Sequence, residues 1–369
     1  MKKHYKILLL LCVLFLFSAC AQDPGPTVID LCDGEREFLD IPGDADILFT
    51  AGMYGDDLND PAEIYAMDVD SRTVYRISCS NYSGPSCFYA GPHASPDRKR
   101  IVVMRGCADT SGDGMVNFRD RTSVWVIDVR QDTAVEVTGF NSVNSPEWSL
   151  QDRIVFAANL PGALNTDIYV MDSDGTNIIN LTDSSDFFEN DPGWSHDGQR
   201  IVYNKGAFTT PAGMDEGTFI AALGDLWVMN ADGTDKTKVV SFGGNEACEE
   251  YSDNFCKGLP ADPAFLPGDE GIVFEQLLSV EENQGSGCWN IFSASREGPD
   301  RNITNLTDHP TAYQVIPHAS ERGIIFHETD TARPFYGLVL TDLDGTGRTE
   351  IIDNSNWSYY LGSAAWLPK

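Results

Sequence analysis

Positive charge is scarce in this sequence. Its 369 residues include 25 lysines and arginines but 56 aspartates and glutamates, which gives a formal net charge of -31. Nucleic acids and anionic lipid surfaces are bound largely through lysine and arginine, so this balance argues against electrostatic binding to either. It favours cations and basic partners, and it is equally compatible with an acidic surface that serves solubility alone.

Familiar catalytic motifs are also missing. The sequence contains no Gly-x-Ser-x-Gly elbow, no phosphate-binding loop and no paired-histidine zinc motif. Ser195-His196-Asp197 has the residue types of a catalytic triad, but neighbours on one tight turn cannot converge as nucleophile, base and orienting group. We therefore interpret this segment as a turn. Binding is favoured over catalysis, although the sequence does not decide whether the protein is an enzyme.

The apolar run at the N-terminus, residues 7–17, is too short to span a bilayer. It follows three lysines and ends in Phe-Ser-Ala-Cys at positions 17–20, which resembles a bacterial lipobox. This predicts cleavage after residue 19 and lipid attachment to Cys20. The alternative is an ordinary signal peptide cut near Ala19 or Ala21.

Three regions follow from this interpretation. Residues 1–19 are the predicted signal peptide, and 20–45 are a predicted lipid-anchored tether in which Val28 to Leu31 is a short run able to pair as a strand. Residues 46–369 form one predicted domain. We expect the protein in the cell envelope, on the outer side of the cytoplasmic membrane or at the outer membrane, with its lipid as the only membrane contact.

A repeat of apolar strands and Asp-Gly turns dominates the rest of the chain. The clearest copy contains Asp167–Gly175, Asn180–Thr182, Asp191–Gly198 and Arg200–Tyr203. Such a unit cannot bury its own faces and must stack on its neighbours. The pattern predicts an all-β fold, a β-propeller of four-stranded blades whose strands a to d run outward from the axis.

The number of copies predicts the number of blades. The segments assigned to strands a, b and c each occur six times, but the first unit has no strand a, and the chain ends in an unpartnered one at Ala364–Pro368. We predict six blades, closed by the C-terminal strand joining the N-terminal blade at Ile47–Phe49. Closure removes exposed sheet edges.

These residues resemble the TolB-like propeller repeat over nearly all of 46–369. The likeness is strong at 167–206 and 225–233 and degraded at 261–271 and 317–323, where Trp and the Asp-Gly turn are lost. A full resemblance to TolB implies a periplasmic protein that works with a peptidoglycan-associated lipoprotein. The space between Cys20 and Asp46 cannot hold that family's N-terminal α/β domain, so the chain resembles a stand-alone TolB-type propeller, and the fold alone does not imply the Tol-Pal role.

Loop lengths distinguish the two faces of the predicted propeller. The a–b and c–d turns are short, whereas b–c and d–a loops on the opposite face are long, at 78–91, 105–122, 157–166, 205–224, 242–262 and 277–288. Long loops on one rigid face often carry function, so this is the predicted working face.

Cysteines cluster near these loops, and export permits disulfides. The expected pairs are Cys79–Cys87 and Cys248–Cys256, with Cys32 able to reach Cys107, although sequence alone does not fix connectivity.

One long loop resembles a calcium-binding loop. The twelve residues from Asp109 to Asp120 match an EF-hand-type loop, with Gly114 at the sharp turn. The predicted ligands are Asp109, Ser111, Asp113, Met115 (through its carbonyl), Asn117 (through water) and Asp120. Strands bracket the loop, so calcium would act as a structural clip. The alternative is an acidic loop without an ion.

Aligning the a strands places His93, Glu147 and His318 at equivalent positions of three blades. They are predicted to converge near the axis and to hold a metal or a polar ligand. The alternative is that they are solvated side chains beside the channel.

The sequence thus favours a lipid-anchored binding or scaffold protein that holds a protein or peptide partner on the loop-rich face. A glycan-binding or glycan-degrading propeller is the alternative, since loop aromatics such as Tyr313 can stack on sugars. A purely structural role in an envelope assembly remains open as a third hypothesis.

Overall fold

The structure is a computed structural model. It describes residues 27–30, 41–53, 63–78, 87–110, 120–131, 133–138, 140, 142–160, 165–209, 220–241, 251–252, 255–256, 258–279, 287–297, 302–330, 332–333, 335–353 and 359–369. Regular structure in these ranges is entirely β, as the repeat predicted. The same ranges contain no helix long and apolar enough to cross a membrane.

The strands are β1 (Thr27–Asp30), β2 (Ile47–Met53), β3 (Glu63–Asp68), β4 (Thr73–Arg76), β5 (Phe88–Ala94), β6 (Arg100–Gly106), β7 (Ser123–Asp128), β8 (Thr133–Glu136), β9 (Ser142–Trp148), β10 (Arg153–Asn159), β11 (Asp167–Asp172), β12 (Ile179–Asn180), β13 (Phe188–Trp194), β14 (Arg200–Thr209), β15 (Ile220–Asn230), β16 (Thr237–Val240), β17 (Tyr251–Ser252), β18 (Phe255–Cys256), β19 (Pro260–Phe265), β20 (Gly271–Ser279), β21 (Cys288–Ser295), β22 (Thr304–Asn305), β23 (Ala312–Ser320), β24 (Gly323–Asp330), β25 (Phe335–Thr341), β26 (Thr349–Asp353) and β27 (Tyr359–Trp366).

Most strands pair with their neighbours along the chain in antiparallel sheets of four. The sheets β5–β8, β9–β12 and β13–β16 are separate, while β19–β22 and β23–β26 are joined by one parallel contact between β21 and β23. β14 and β15 extend into the predicted 205–224 loop, since Thr209 pairs with Ile220. A short hairpin, β17–β18, occupies part of the predicted 242–262 loop.

The remaining sheet combines both ends of the chain. β27 runs antiparallel to β2, with Trp366 opposite Ile47. At the outer edge β1 runs parallel to β4. β1 lies within the segment expected to be a tether, and so do the buried Ile41 and Ala45, which pack in the core.

The core lies between neighbouring sheets. One cluster, for example, joins Val102 and Val124 of the β5–β8 sheet to Trp148, Ile154 and further apolar residues of the β9–β12 sheet. Middle strands such as β10 and β11 are buried on both faces, which explains their nearly continuous apolar sequences.

Six strands form an inner set, and we call β5, β9, β13, β19, β23 and β27 the inner strands. They contact one another in that order, and β27 also contacts β5. The inner strands therefore bring six separate parts of the sequence around a common space.

Candidate functional site: a channel with a histidine–glutamate cluster

A β-bulge in each inner strand shapes the site. The pairing of every inner strand with its partner shifts register near its middle. In five of them a residue of positive φ precedes a proline: Gly91, Ser145, Asp191, Asp262 and Ile316. Left-handed backbone is unusual for residues other than glycine, and bulges re-aim the side chains that follow them.

The position after the proline is structurally equivalent from one of these strands to the next. It is occupied by His93, Glu147, Gly193, Ala264 and His318, and Ala365 is the equivalent residue of β27. The structure brings His93, Glu147 and His318 together, with one ligand atom from each lying within 4.8 Å of the others. The rings of His93 and His318 have centroids 5.3 Å apart. Below, these three residues are called the channel cluster.

Tryptophans of the next inner strand hold two members of the cluster. The indole Nε1 of Trp194 donates to the Glu147 carbonyl at 3.2 Å, and that of Trp366 donates to the His318 carbonyl at 3.0 Å. The backbone N–H of Trp366 also points at His318 Nδ1, at 3.5 Å. The repeat's tryptophans therefore pack between sheets and also fix the backbone that carries the cluster, a role that sequence reasoning missed.

Gly193 leaves room for the Glu147 carboxyl group. A Cβ at Gly193 would lie 3.2 Å from Glu147 Oε2 and 3.1 Å from the Pro263 carbonyl oxygen. The carboxyl group also accepts a hydrogen bond from the Trp194 backbone N–H. Glu147 is thus directed towards the neighbouring inner strand β13.

Burial shifts the pKa of each residue of the channel cluster and so determines its charge. Burial lowers the pKa of His93 to about 4 and raises the pKa of Glu147 to about 8, the latter opposed by the Trp194 N–H. The pKa of His318 lies well below its usual value because of burial and then because of His93 and His196. All three side chains are consequently neutral near pH 7.

Two cavities meet at the cluster, and together they form what we call the channel. The turn-side cavity, about 250 Å³, opens towards the short a–b turns and is bordered by Trp148, Trp194, Phe265 and Trp366. The loop-side cavity, about 380 Å³, opens at the starts of the inner strands. His93, Glu147 and His318 border both cavities.

Acidic side chains line one part of the loop-side cavity, among mostly apolar neighbours. Asp191, Asp262 and Glu275 line it, beside the amides of Asn144 and Asn190. The Asp262 N–H donates to the Asp191 carboxylate, and the Ile316 N–H donates to Glu275. Burial raises the pKa of all three carboxyl groups, and their mutual repulsion raises those of Asp262 and Glu275 further.

Ser195-His196-Asp197 is a turn, as expected. Ser195 Oγ donates to Asp197 Oδ1 at 2.6 Å, and the Gly198 N–H donates to the Ser195 carbonyl at 2.8 Å. His196 Nδ1 lies 3.0 Å from Asp269 Oδ1 on another turn. Ser195 therefore lacks the serine–histidine hydrogen bond of a triad.

Only the ends of the predicted calcium loop lie in the described part of the chain. Ser111, Asp113, Met115 and Asn117 fall outside it. Asp109 is exposed, whereas Asp120 is buried and accepts the Thr110 N–H at 2.7 Å.

The disulfide expectation needs correction, because Cys87 pairs with Cys107 and not with Cys79. Phe88 opposes Gly106 in the β5–β6 hairpin, so the two cysteines face each other just beyond its open end, with Cα atoms 4.1 Å apart. The same bridge excludes the suggested Cys32–Cys107 pair. Cys20, Cys32, Cys79 and Cys248 lie outside the described residues, and Cys256 is described only as part of β18.

Comparison with known proteins supports the fold. A putative TolB from Agrobacterium tumefaciens superposes with a TM-score of 0.53 at 14% identity, over 89% of this chain and 100% of that one. TolB from Acinetobacter baumannii gives 0.60 at 16% identity, over 89% and 68%. A chain of the nidogen–laminin complex gives 0.56 at 12% identity, over 88% and 99%.

The chain has a TolB-like β-propeller fold. No protein-family model matches the sequence, and no curated protein matches it either. At these identities the likeness defines the architecture, and the chemistry has to be argued from the channel itself.

Proposed function

We propose that this protein is a binding or scaffold module of the cell envelope that holds a segment of a protein or peptide partner in the loop-side cavity. The observation that carries the proposal is the lining of that cavity, where Asp191, Asp262 and Glu275 converge beside Asn144 and Asn190. A concave site with a few convergent polar groups is typical of ligand binding.

The chemistry of the lining favours a basic partner segment. Burial and mutual repulsion disfavour the charged form of these three carboxyl groups, and the positive charge of a lysine or arginine side chain beside them would favour the carboxylate form. The net charge of -31 would also speed encounter with such a partner. The related fold in the nidogen–laminin complex occurs within a protein–protein assembly.

The remaining parts of the proposal concern architecture and attachment. We infer a six-bladed propeller closed by β27, which the cyclic contacts of the inner strands support. Lipid attachment at Cys20 would place it at an envelope membrane, and a calcium ion held by residues 109–120 would order that loop beside the cavity. The hydrogen bonds between Asp120 and Thr110 at the base of the loop fit a clipped loop.

Site-specific photocrosslinking in gently solubilised envelopes would test this proposal. A crosslinking amino acid at Asn144 reports on the loop-side cavity, and one at the exposed Leu150 reports on the turn side. We expect one protein crosslinked from position 144 only, with its yield reduced by chelation of calcium. Equal crosslinking from both positions, or crosslinking from 150 alone, would contradict the assignment of the face.

Glycan binding is the second candidate, since Trp289 and Tyr313 both line the loop-side cavity with ring centroids 6.4 Å apart. Aromatic rings beside carboxyl groups also suit sugars. Oligosaccharide binding that is lost in Tyr313→Ala, together with no protein crosslink from position 144, would favour this alternative.

A further inference from the structure

We propose that His93, Glu147 and His318 bind a divalent transition-metal ion, best matched by zinc, at the constriction between the two cavities. This inference goes beyond partner binding and does not depend on it. It rests on the position of the three side chains, the types of their donor atoms and the residues that surround them.

The donor atoms fit a transition metal better than calcium or magnesium. Two of the three ligands are imidazole nitrogens, which suit zinc, iron, nickel and copper, whereas calcium prefers six to eight oxygens. Two histidines and one carboxylate are a recurrent zinc set that leaves a further coordination position open. Gly193, Ala264 and Ala365, which occupy the other equivalent positions of the inner strands, have no donor in their side chains.

The distances require only local movement. Ligand atoms of a tetrahedral zinc ion lie about 3.4 Å apart, given metal–ligand distances of about 2.0–2.1 Å. The three atoms here already lie within 4.8 Å of one another on three different strands. Rotation about side-chain bonds is sufficient to draw them together, without movement of the inner strands.

The surroundings hold the ligands in place. The Trp194 and Trp366 indoles fix the Glu147 and His318 carbonyls, as outer-shell hydrogen bonds commonly orient metal ligands. Metal binding requires neutral histidines and an ionised carboxylate, so Glu147 would release its proton as the ion binds. Binding through His318 Nε2 would put the ring proton on Nδ1 and displace the long 3.5 Å contact from the Trp366 N–H.

Metal binding to the full-length chain, stripped with chelator, would test the inference. Cobalt(II) would be titrated in the presence of excess calcium and magnesium, which occupy oxygen-only sites, and followed by its visible absorption and then by displacement with zinc. We expect one equivalent to bind. Glu147→Gln and His93→Gln should each weaken binding more than tenfold, while His309→Gln, which alters a histidine that borders neither cavity, should leave it unchanged.

Gly193→Ala provides a variant that keeps all three ligands. Its Cβ would crowd Glu147 Oε2, so binding should weaken although every donor is present. Circular dichroism would establish that each variant folds. The inference is overturned if the wild type binds neither cobalt nor zinc, or if His93→Gln/Glu147→Gln binds as the wild type does. Crosslinking from position 144 should persist in Glu147→Gln, which separates this result from that for the partner.

Discussion

The two halves of the channel are built from different kinds of residue. The turn-side cavity is bordered by residues of the repeat itself, including Trp148, Trp194 and Trp366, whereas the loop-side cavity is bordered by side chains that differ from sheet to sheet. The tryptophans perform the same packing task in the sheets that keep them. The side chains that differ are the charged and amide groups of the loop-side cavity. We therefore expect the residues of the turn-side cavity to stabilise the packing of the sheets, and those of the loop-side cavity to be available for recognition.

Removing a turn-side tryptophan should have the largest effect on stability. Trp194 is buried among Val155, Ile201 and their neighbours, and its indole also holds the Glu147 carbonyl. Trp194→Ala should lower the free energy of unfolding by about 3–5 kcal/mol, because it leaves a large cavity. Urea denaturation would measure this loss. The loop-side control Asp191→Asn should cost much less, and equal losses in both variants would contradict the division of roles.

A buried histidine of β24, His327, should make the protein sensitive to acid. Burial lowers the pKa of His327 to about 4, with the backbone of Gly362 opposing the shift. Between pH 6.5 and 4 His327 binds a proton more readily in the unfolded state than in the folded state. Its contribution to the free energy of unfolding is therefore complete above pH 6.5 and is lost as the pH falls. The loss amounts to at most about 3 kcal/mol.

His327→Asn would isolate this contribution, since asparagine keeps a donor but does not titrate. Unfolding free energies measured from pH 7.5 to 4 should show a shallower slope in the variant than in the wild type. Parallel slopes would mean that the ring is protonated as readily in the folded state as in the unfolded state.

The sequence predicts the arrangement of the inner strands better than the content of the loop-side cavity. Aligning the a strands of the repeat placed His93, Glu147 and His318 at equivalent positions, and equivalent positions of stacked repeats lie near one another. It did not identify Asp191, Asp262 and Glu275 as a group, since so acidic a chain has too many carboxylates for any three to stand out. The Cys87–Cys107 bridge required the register of the β5–β6 hairpin, which cysteine spacing does not contain.

The acidic group should have the opposite pH dependence to His327. The pKa of Asp262 is raised by burial and then by Asp191, so the folded state binds more protons than the unfolded state once the pH exceeds about 3.8. The contribution of Asp262 to the free energy of unfolding is therefore complete at low pH, and it is lost as the pH rises through the pKa that Asp262 has in the folded state. The free energy of unfolding, measured by urea denaturation, should fall less between pH 5 and 9 in Asp262→Asn than in the wild type. A variant with an unchanged alkaline slope would show that Asp262 ionises without penalty.

The smallest effect should come from the bulge that shapes the loop side. Gly91 has a φ of 59°, and Ser145, Asp191 and Asp262 take similar values in other inner strands, so the bulge itself does not require glycine. A Cβ at Gly91 would meet only Pro146 Cδ, at an ordinary 3.5 Å. The cost of substitution is then that of a left-handed backbone alone, about 1 kcal/mol for Gly91→Ala and less for Gly91→Asn, because asparagine tolerates this conformation. Thermal unfolding of the two variants would measure the difference. A loss of several kcal/mol in both would mean that the first bulge, beside His93, is held more tightly than its counterparts, and that the loop-side half also contributes rigidity to the ring.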